Sequence, residues 1–548
     1  MCMLQTASVP DTALVPPALL APAPEPRRRR PRTQRAKAAQ APTLTARSAR
    51  QLAQLLHGVF GLQALRAGQQ EVIARVLAGE STLAIMPTGA GKSLCYQLPA
   101  LMLPGCTLVV SPLIALMKDQ CEKLRAHGLA AVEFNSSLDA EALAAAEAAL
   151  AAGSARIVLV TPERLAEPAF LALVRRCRIA LVVVDEAHCI VEWGHDFRPA
   201  FLEIGPALRA LGHPPLLALT ATAPPDTAAE IARLLGIGRG GTVDAGIWRG
   251  NLHYAVVPLT EADDKLQVLQ DTLHGCEEPG IVYTATVRAA EEVHAALAAR
   301  GLSVGLYHGK LRAAERHAAQ EAFMQGRTRV MVATNAFGMG IDKADLRCVV
   351  HYQMPASLDA YYQESGRAGR DGLPARCVLL YQRRDRSVQH FFLGGRAITQ
   401  AELARVLAAL SPDAPAELAQ LAQGTGLPRA RTAALLALLL QAGHCRKAHA
   451  TKGHAGWLAA KAPRGAPALD ALVQAEQARR QEKQRKLQAM VDYAESGACR
   501  WQVLQDALEG ERRPEGCGQC DNCARMLRLA APDVLVPAMA GGAPPLRH

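Results

Sequence analysis

Ala84–Leu98 reads AIMPTGAGKSLCYQL, and Asp185 lies 93 positions beyond its Lys92, inside Val182–His188, VVVDEAH. The first stretch is a short apolar run, a glycine-rich turn and a helix-forming segment. Backbone N–H groups of such a turn, with the positive helix terminus behind them, suit phosphate oxygens. Lys92 is expected to reach the β/γ-phosphates and Ser93 to place its hydroxyl on Mg²⁺. Met86, Pro87, Thr88, Gly89, Ala90 and Gly91 complete the cradle. The strict pattern wants Gly at position 86, where Met86 stands. The second stretch ends an apolar strand in two carboxylates. Asp185 can hold the metal through its shell, and Glu186 can polarise an attacking water. The bland reading of either stretch alone is a glycine turn before a core helix, or a solvated strand end; the pairing argues against both.

Around this pair the chain predicts an α/β fold of two tandem RecA-like parallel-sheet lobes. Near-continuous apolar runs at Thr82–Met86, Thr107–Ser111, Arg156–Thr161, Ile179–Val184 and Leu216–Leu219 read as strands covered on both faces. A second set follows at Gly280–Tyr283, Val304–Tyr307, Arg329–Ala333, Cys348–Tyr352 and Cys377–Tyr381. The expected divisions are a basic, disordered tail at 1–48, lobe 1 at 49–245, lobe 2 at 246–385, a helix-turn-helix or winged-helix-like module at 386–465, a charged helix and four-Cys module at 466–526, and a flexible tail at 527–548. In lobe 2, Gln363–Gly372 reads QESGRAGRDG. Arg367 and Arg370 are three apart, which predicts a helix presenting both on one face. Gly366 and Gly369 are expected to let that face approach a phosphate. An arginine from the second lobe at the γ-phosphate would tie hydrolysis to lobe closure.

Beyond lobe 2, Thr399–Leu410, Ala416–Ala422 and Arg429–Ala442 read as short helices, with a break at Gly424–Pro428 between the last two. His444–Trp457, HCRKAHATKGHAGW, is a candidate basic wing; the alternative is a packing module without nucleic-acid contacts. The charged helix, roughly Ala468–Glu495, has an apolar face of Leu469, Leu472, Val473, Leu487, Met490 and Val491. Cys499, Cys517, Cys520 and Cys523 then give C-x17-C-x2-C-x2-C. Four thiolates so spaced suit tetrahedral Zn²⁺ in a closed structural site, and an iron–sulfur cluster is the alternative.

The 548 residues carry 14 cysteines, half the residues are apolar, and net charge is +11. Residues 1–50 hold nine Lys/Arg against Asp11 and Glu25, so they supply +7 of it. The basicity fits a polyanionic partner. For the tail, a solvated segment or an early-assigned start outweighs a nucleic-acid arm. No window of about 18 uncharged apolar residues exists, so no membrane span is expected. Scattered cysteines and the missing secretory signal predict a cytoplasmic location, nucleoid-associated in a bacterium.

With these residues in view, the chain resembles the RecQ family of superfamily 2 helicases over roughly residues 58–385 and 497–523. The resemblance implies ATP as nucleotide, Mg²⁺ and Zn²⁺ as metals, single-stranded and duplex DNA as partners, 3′→5′ travel, and a role in repair or recombination, with single-strand-binding or recombination proteins as candidate partners. It carries Arg66 and Gln69 over as adenine contacts, although Leu62 stands where the family often has an aromatic and Ala67 replaces a Pro. It places VSPLIALMKDQ (Val110–Gln120) and TPERL (Thr161–Leu165) on the nucleic-acid track, where Ser111, Lys118, Thr161 and Arg164 suit phosphates. In CIVEWGHDFRPAF (Cys189–Phe201), it implies that Trp193 and Phe197 stack on bases while His195 and Arg198 report that contact. It assigns coupling to His188 of DEAH and to Thr220 and Thr222 of ALTATA. Thr334 and Asn335 become backbone contacts, Gly340 and Asp342 nucleotide-side residues, and Arg370 rather than Arg367 the arginine finger. Arg500 and Asp521-Asn522 match the family's zinc module. One departure concerns order: the helix-turn-helix signal precedes the zinc cysteines here, whereas in the common layout it follows them. An RNA helicase and an ATP-switched strand-annealing protein are the competing functions; the track motifs do not separate DNA from RNA, while the zinc module and aromatic loop favour DNA.

Overall fold

The computed structural model describes residues 42–192, 199–260, 264–338, 341, 343–393, 397–449, 455–460, 466–510 and 515–530. The expected tail at 1–48 lies outside these as far as residue 41, as do 531–548. At the inner edge of each tail the boundary moves. A helix, Ala46–Gly58, starts inside the first, because Thr45 caps it by accepting from Ser48 N at 3.1 Å. Another, Asp521–Ala530, runs past the expected limit at 526.

Lobe 1 is one parallel sheet of β1 Thr82–Ile85, β2 Cys106–Val110, β3 Ala131–Phe134, β4 Ile157–Val160, β5 Ile179–Val184, β6 Leu216–Thr220 and β7 Thr242–Asp244. Its order is β3-β4-β2-β5-β6-β1-β7. Strands β1, β2, β4 and β6 are buried throughout, as sandwiching helices require. The strands stop one residue short of expectation at Met86, Ser111 and Thr161, which places those residues in the loops at the carboxyl ends. Ligands of open α/β sheets gather at those ends.

Lobe 2 is a second parallel sheet: β8 Leu252–Leu259, β9 Gly280–Tyr283, β10 Val304–Tyr307, β11 Val330–Ala333, β12 Cys348–His351 and β13 Ala375–Gln382. The order is β10-β11-β9-β12-β13-β8. Its edge strand β8 is covered by the cysteine module. Trp501 Nε1 and Gln519 Nε2 donate to Leu252 O at 3.2 and 3.3 Å, and Val256 N donates to Asp521 at 3.0 Å. Covering a sheet edge in this way removes a template for aggregation. Tyr254, Tyr361, Tyr493 and Trp501 share one buried core, so lobe and module pack as a unit.

Helices Gln400–Ala408, Leu418–Thr425 and Arg429–Gln441 are followed by an antiparallel hairpin, β14 Cys445–His449 and β15 Ala455–Ala459. The hairpin stands where the basic wing was expected; its tip, 450–454, lies outside the described residues. Leu403, Val406, Leu421, Leu435 and Leu439 form a separate small core. The charged helix spans Ala466–Glu495, and its apolar face is divided along its length between two cores. Leu469, Leu472 and Val473 join this small core, whereas Leu487, Met490 and Val491 join that of lobe 2. Among the described residues, no helix is long and apolar enough to cross a membrane.

Candidate functional site

The loop after β1 takes left-handed backbone at Gly89 (φ +83°) and Gly91 (φ +76°) before the helix Leu94–Met102. Met86 fits without a glycine because its side chain points down, fully buried, with Sδ 3.8 Å from Cys95 Sγ. Lys92 Nζ donates to Met86 O at 3.3 Å. Burial pulls the Lys92 ammonium below its ordinary pKa; Glu186 and Asp185 oppose that shift, and Arg370 adds to it. One lysine, two carboxylates and an arginine of the other lobe therefore share a single electrostatic gap. A Cβ at Gly89 would lie 3.2 Å from Arg370 Cγ.

Asp185 follows β5 and is buried. Burial, then Glu186, raises its carboxyl to about 7 against the pull of Lys92. A carboxylate held so in a dry site is relieved by a cation, so Asp185 fits a divalent metal, while Ser93 stands at the N-cap of the helix that leaves the loop. Glu186 has a left-handed backbone, φ +49°, uncommon for a residue with a Cβ. Its carboxylate lies 3.4 Å from His188 Nδ1, which lies 3.1 Å from Thr220 Oγ1, which donates to Thr222 O at 2.9 Å. The residues expected to couple the site thus form one connected line.

Other expected residues fall elsewhere. Gln69 faces the phosphate loop: its amide donates to Ala90 O and Gly91 O at 2.9 and 3.0 Å and accepts from Arg66 N at 2.7 Å. Arg66 donates to Gly89 O and to Arg370 O, the latter at 3.5 Å. Both side chains thus serve the backbone of the phosphate loop. Arg367 and Arg370 do not share a helical face, because the helix Leu358–Ser365 ends before them. They sit in the turn that follows, where Gly369 is left-handed at φ +56°. The two glycines approach protein. A Cβ at Gly366 would lie 3.1 Å from Thr88 Cβ, and one at Gly369 would run into Asn251 Nδ2.

On the expected nucleic-acid track, Lys118 and Asn335 are exposed. Ser111 and Thr334 are buried, and Thr161 caps the helix Pro162–Leu165 by accepting from Arg164 N at 3.3 Å. Arg164 is engaged by Glu147 at 3.2 Å and by Glu167. Short polar residues just past a strand serve the next helix first. Trp193, His195, Phe197, Arg198, Gly340 and Asp342 lie outside the described residues.

Sequence reasoning missed Arg249 and Asn251, in the link between the sheets. Arg249 donates to Thr88 O (3.2 Å), Gly366 O (2.7 Å), Ala368 O (2.8 Å) and Gly369 O. Asn251 Nδ2 donates to Gly369 O and Leu373 O, each at 2.8 Å. Their partners are carbonyls, which leave no mark in sequence. The available signal was an arginine beside glycines, Gly246 and Gly250, in a short connector.

The sulfurs of Cys499, Cys517, Cys520 and Cys523 lie within 4.8 Å of one another, with 3.9 Å between Cys517 and Cys523 and 4.0 Å between Cys499 and Cys520. Four ligands at about 2.3 Å from one tetrahedral zinc stand about 3.8 Å apart. An iron–sulfur cluster puts its own atoms between the thiolates and needs them wider. Backbone N–H groups of Arg500, Cys517, Cys520 and Cys523 donate to these sulfurs at 3.2–3.4 Å, which favours thiolates. The donor set fits zinc.

Fold and site define a two-lobed superfamily 2 helicase core. The family model described as DEAD/DEAH box helicase matches residues 66–231, that of the helicase conserved C-terminal domain 264–372, and that of RecQ zinc-binding 464–524. The probable ATP-dependent DNA helicase RecS of Bacillus subtilis is 38% identical over 361 residues, covering 66% of this chain and 72% of the relative. The ATP-dependent DNA helicase RecQ of the same organism is 44% identical over 342 residues, covering 62% and 57%. That of Pasteurella multocida is 41% identical over 339 residues, covering 62% and 53%. The chain thus spans little more than half the length of these last two. Among solved structures, the DUF1998 helicase MrfA bound to DNA has a TM-score of 0.53 at 18% identity, covering 78% of this chain and 65% of that one; this likeness concerns fold. The chain belongs to the RecQ family, and its residues fit that family's ATP with Mg²⁺ and structural Zn²⁺.

Proposed function

We propose that the protein is an ATP-driven DNA helicase that moves 3′→5′ along single-stranded DNA and parts the duplex, in repair or recombination. The observation that carries this is the common gap in which Lys92, Asp185 and Glu186 of lobe 1 meet Arg370 of lobe 2. Lys92 binds the β- and γ-phosphates. Ser93 and Asp185 hold Mg²⁺, which neutralises phosphate charge. Glu186 orients the attacking water, and Arg370 stabilises charge on the transferred group; such an arginine contributes about 10³–10⁵ in rate. The lobes close for Arg370 to act and open on product release. The line Glu186–His188–Thr220–Thr222 carries that change towards the DNA side. Support for DNA over RNA comes from the zinc module and the DNA helicases among the relatives.

The test measures ATP hydrolysis and unwinding side by side on tailed DNA and tailed RNA duplexes, for the parent and Lys92→Ala. DNA-stimulated hydrolysis and unwinding of 3′-tailed DNA, both lost in Lys92→Ala while DNA binding persists, is the expected outcome. Preference for RNA, or equal hydrolysis in both proteins, refutes the reading.

A further inference from the structure

Arg249 belongs to neither sheet. It lies on the connector between β7 and β8, yet its guanidinium touches both halves of the nucleotide gap. One nitrogen, Nη1, donates to Thr88 O of the phosphate loop at 3.2 Å and to Gly366 O of the arginine turn at 2.7 Å. The other, Nη2, takes Ala368 O at 2.8 Å and Gly369 O. The last three carbonyls follow the end of the helix Leu358–Ser365, where backbone acceptors lack helical partners and a cation is favoured. A rigid fork of donors suits several fixed carbonyls at once. Asn251 grips the same turn through Gly369 O and Leu373 O.

The connector is itself held from outside. Trp248 packs on Trp501 with ring centroids 4.8 Å apart, and Ile247 N donates to Glu509, both partners belonging to the zinc-module segment. Arg249 therefore projects from an anchored backbone. Arg370 immediately follows the carbonyls it holds, and Gly89, beside Arg370, immediately follows Thr88.

We infer that Arg249 is a positioning residue for ATP hydrolysis: by bridging Thr88 O to the carbonyls of 366, 368 and 369 it sets the turn that carries Arg370 against the phosphate loop. Its guanidinium is engaged by backbone carbonyls. The inference rests on the reading of Arg370 as the residue that completes the ATP site. Its chemical consequence is that misplacement by about 1 Å, which costs on the order of 10²-fold in rate, appears in turnover rather than in ATP or DNA binding.

The experiment uses the full chain as parent, Arg249→Ala, Arg249→Lys, Arg370→Ala and the Arg249→Ala/Arg370→Ala double variant. Steady-state ATP hydrolysis is measured at saturating single-stranded DNA, with DNA affinity and thermal midpoint alongside. Arg249→Ala is expected to lower kcat about 10²-fold, with KM for ATP and DNA affinity each within about threefold of the parent. Arg249→Lys is expected to recover about tenfold of that loss, since an ammonium reaches some of the carbonyls without the fork. The double variant is expected to be no slower than Arg370→Ala alone. Multiplying losses in the double variant would overturn the inference, because Arg249 would then act independently of Arg370. Unchanged kcat in Arg249→Ala, or a fall matched by lost DNA affinity, would overturn it too. Should Arg249→Ala not fold, parental kcat in a folded Arg249→Lys overturns it, and a partial loss absent from the Arg370→Ala background supports it. Failure of the parent reading is separately visible: Arg370→Ala would keep parental kcat.

Discussion

Asp521→Asn is a one-atom change with a large expected effect on stability. Asp521 accepts four hydrogen bonds: from Arg500 Nε and Nη2, each at 2.9 Å, from Val256 N at 3.0 Å, and from Asn522 N at 2.8 Å. Two carboxylate oxygens offer about four lone-pair sites, so the group is fully used. Arg500 is 4% exposed and lies over the Tyr493 ring at 5.4 Å. An asparagine offers one oxygen, turns an amide N–H₂ towards donors, and leaves the guanidinium without its counter-charge. Uncompensating a buried ion pair costs about 3–5 kcal/mol. Since m-values grow with size towards about 3 kcal/mol per molar urea, the unfolding midpoint of lobe 2 with its zinc module should fall by about 1–2 M. Trp248 and Trp501 report on this junction, so tryptophan fluorescence follows it once Trp193 and Trp457 are replaced by Phe. A midpoint within about 0.3 M of the parent's would show that the carboxylate is not what neutralises Arg500.

Asp185→Asn tests electrostatic strain in the nucleotide site. Its folded-state carboxyl titrates near 7, whereas the unfolded one titrates near 4, so the folded chain holds an extra proton between those values. Stability contributed by that proton is present at low pH and lost as pH rises through about 7. Metal-free Asp185→Asn should therefore be more stable than the parent at pH 8, by roughly 1–4 kcal/mol, with the gap closing by about pH 4; equal or lower stability at pH 8 in chelator would contradict this. For Gly366→Ala, the new Cβ would stand 3.1 Å from Thr88 Cβ and 2.8 Å from Tyr362 O. The φ of −64° suits alanine, but the Tyr362 carbonyl must give way together with Thr88, so the turn that carries Arg370 and the gap between the lobes both shift, and ATP turnover should fall about 10–10²-fold. A variant with parental turnover would mean the lobes work without this close approach.

The features legible in sequence are those that local spacing encodes. The phosphate loop, the Asp185-Glu186 pair and the four cysteines each need particular residue types at fixed intervals. The buried strands were legible because both faces are covered. Strand β8 was not: in LHYAVVPL burial alternates, since it lies at a sheet edge. The four residues of β3 include Glu133, and β7 has three residues in all. Arg367 and Arg370 were misread because i,i+3 spacing implies a shared face only while the helix lasts, and it stops at Ser365. The ion pair of Arg164 with Glu147 was not legible either, because Glu147 lies on a helix 17 residues earlier. Arg249 shows the limit most plainly. It answers to backbone geometry assembled from three distant segments, and no residue pattern announces that.

The helix Ala466–Glu495 has a mechanical consequence. Its 30 residues make a rod of about 45 Å. One end packs into the core of lobe 2 and the other into the small core of the three helices that precede the hairpin. A rigid rod held at one end amplifies rotation: tilting its base by about 10° carries the tip through about 8 Å, on the order of two nucleotide steps. Under the proposed lobe closure, an angular change passed to the base of the rod would reach its far end as a stroke of that size, and shortening the rod would shorten the stroke in proportion.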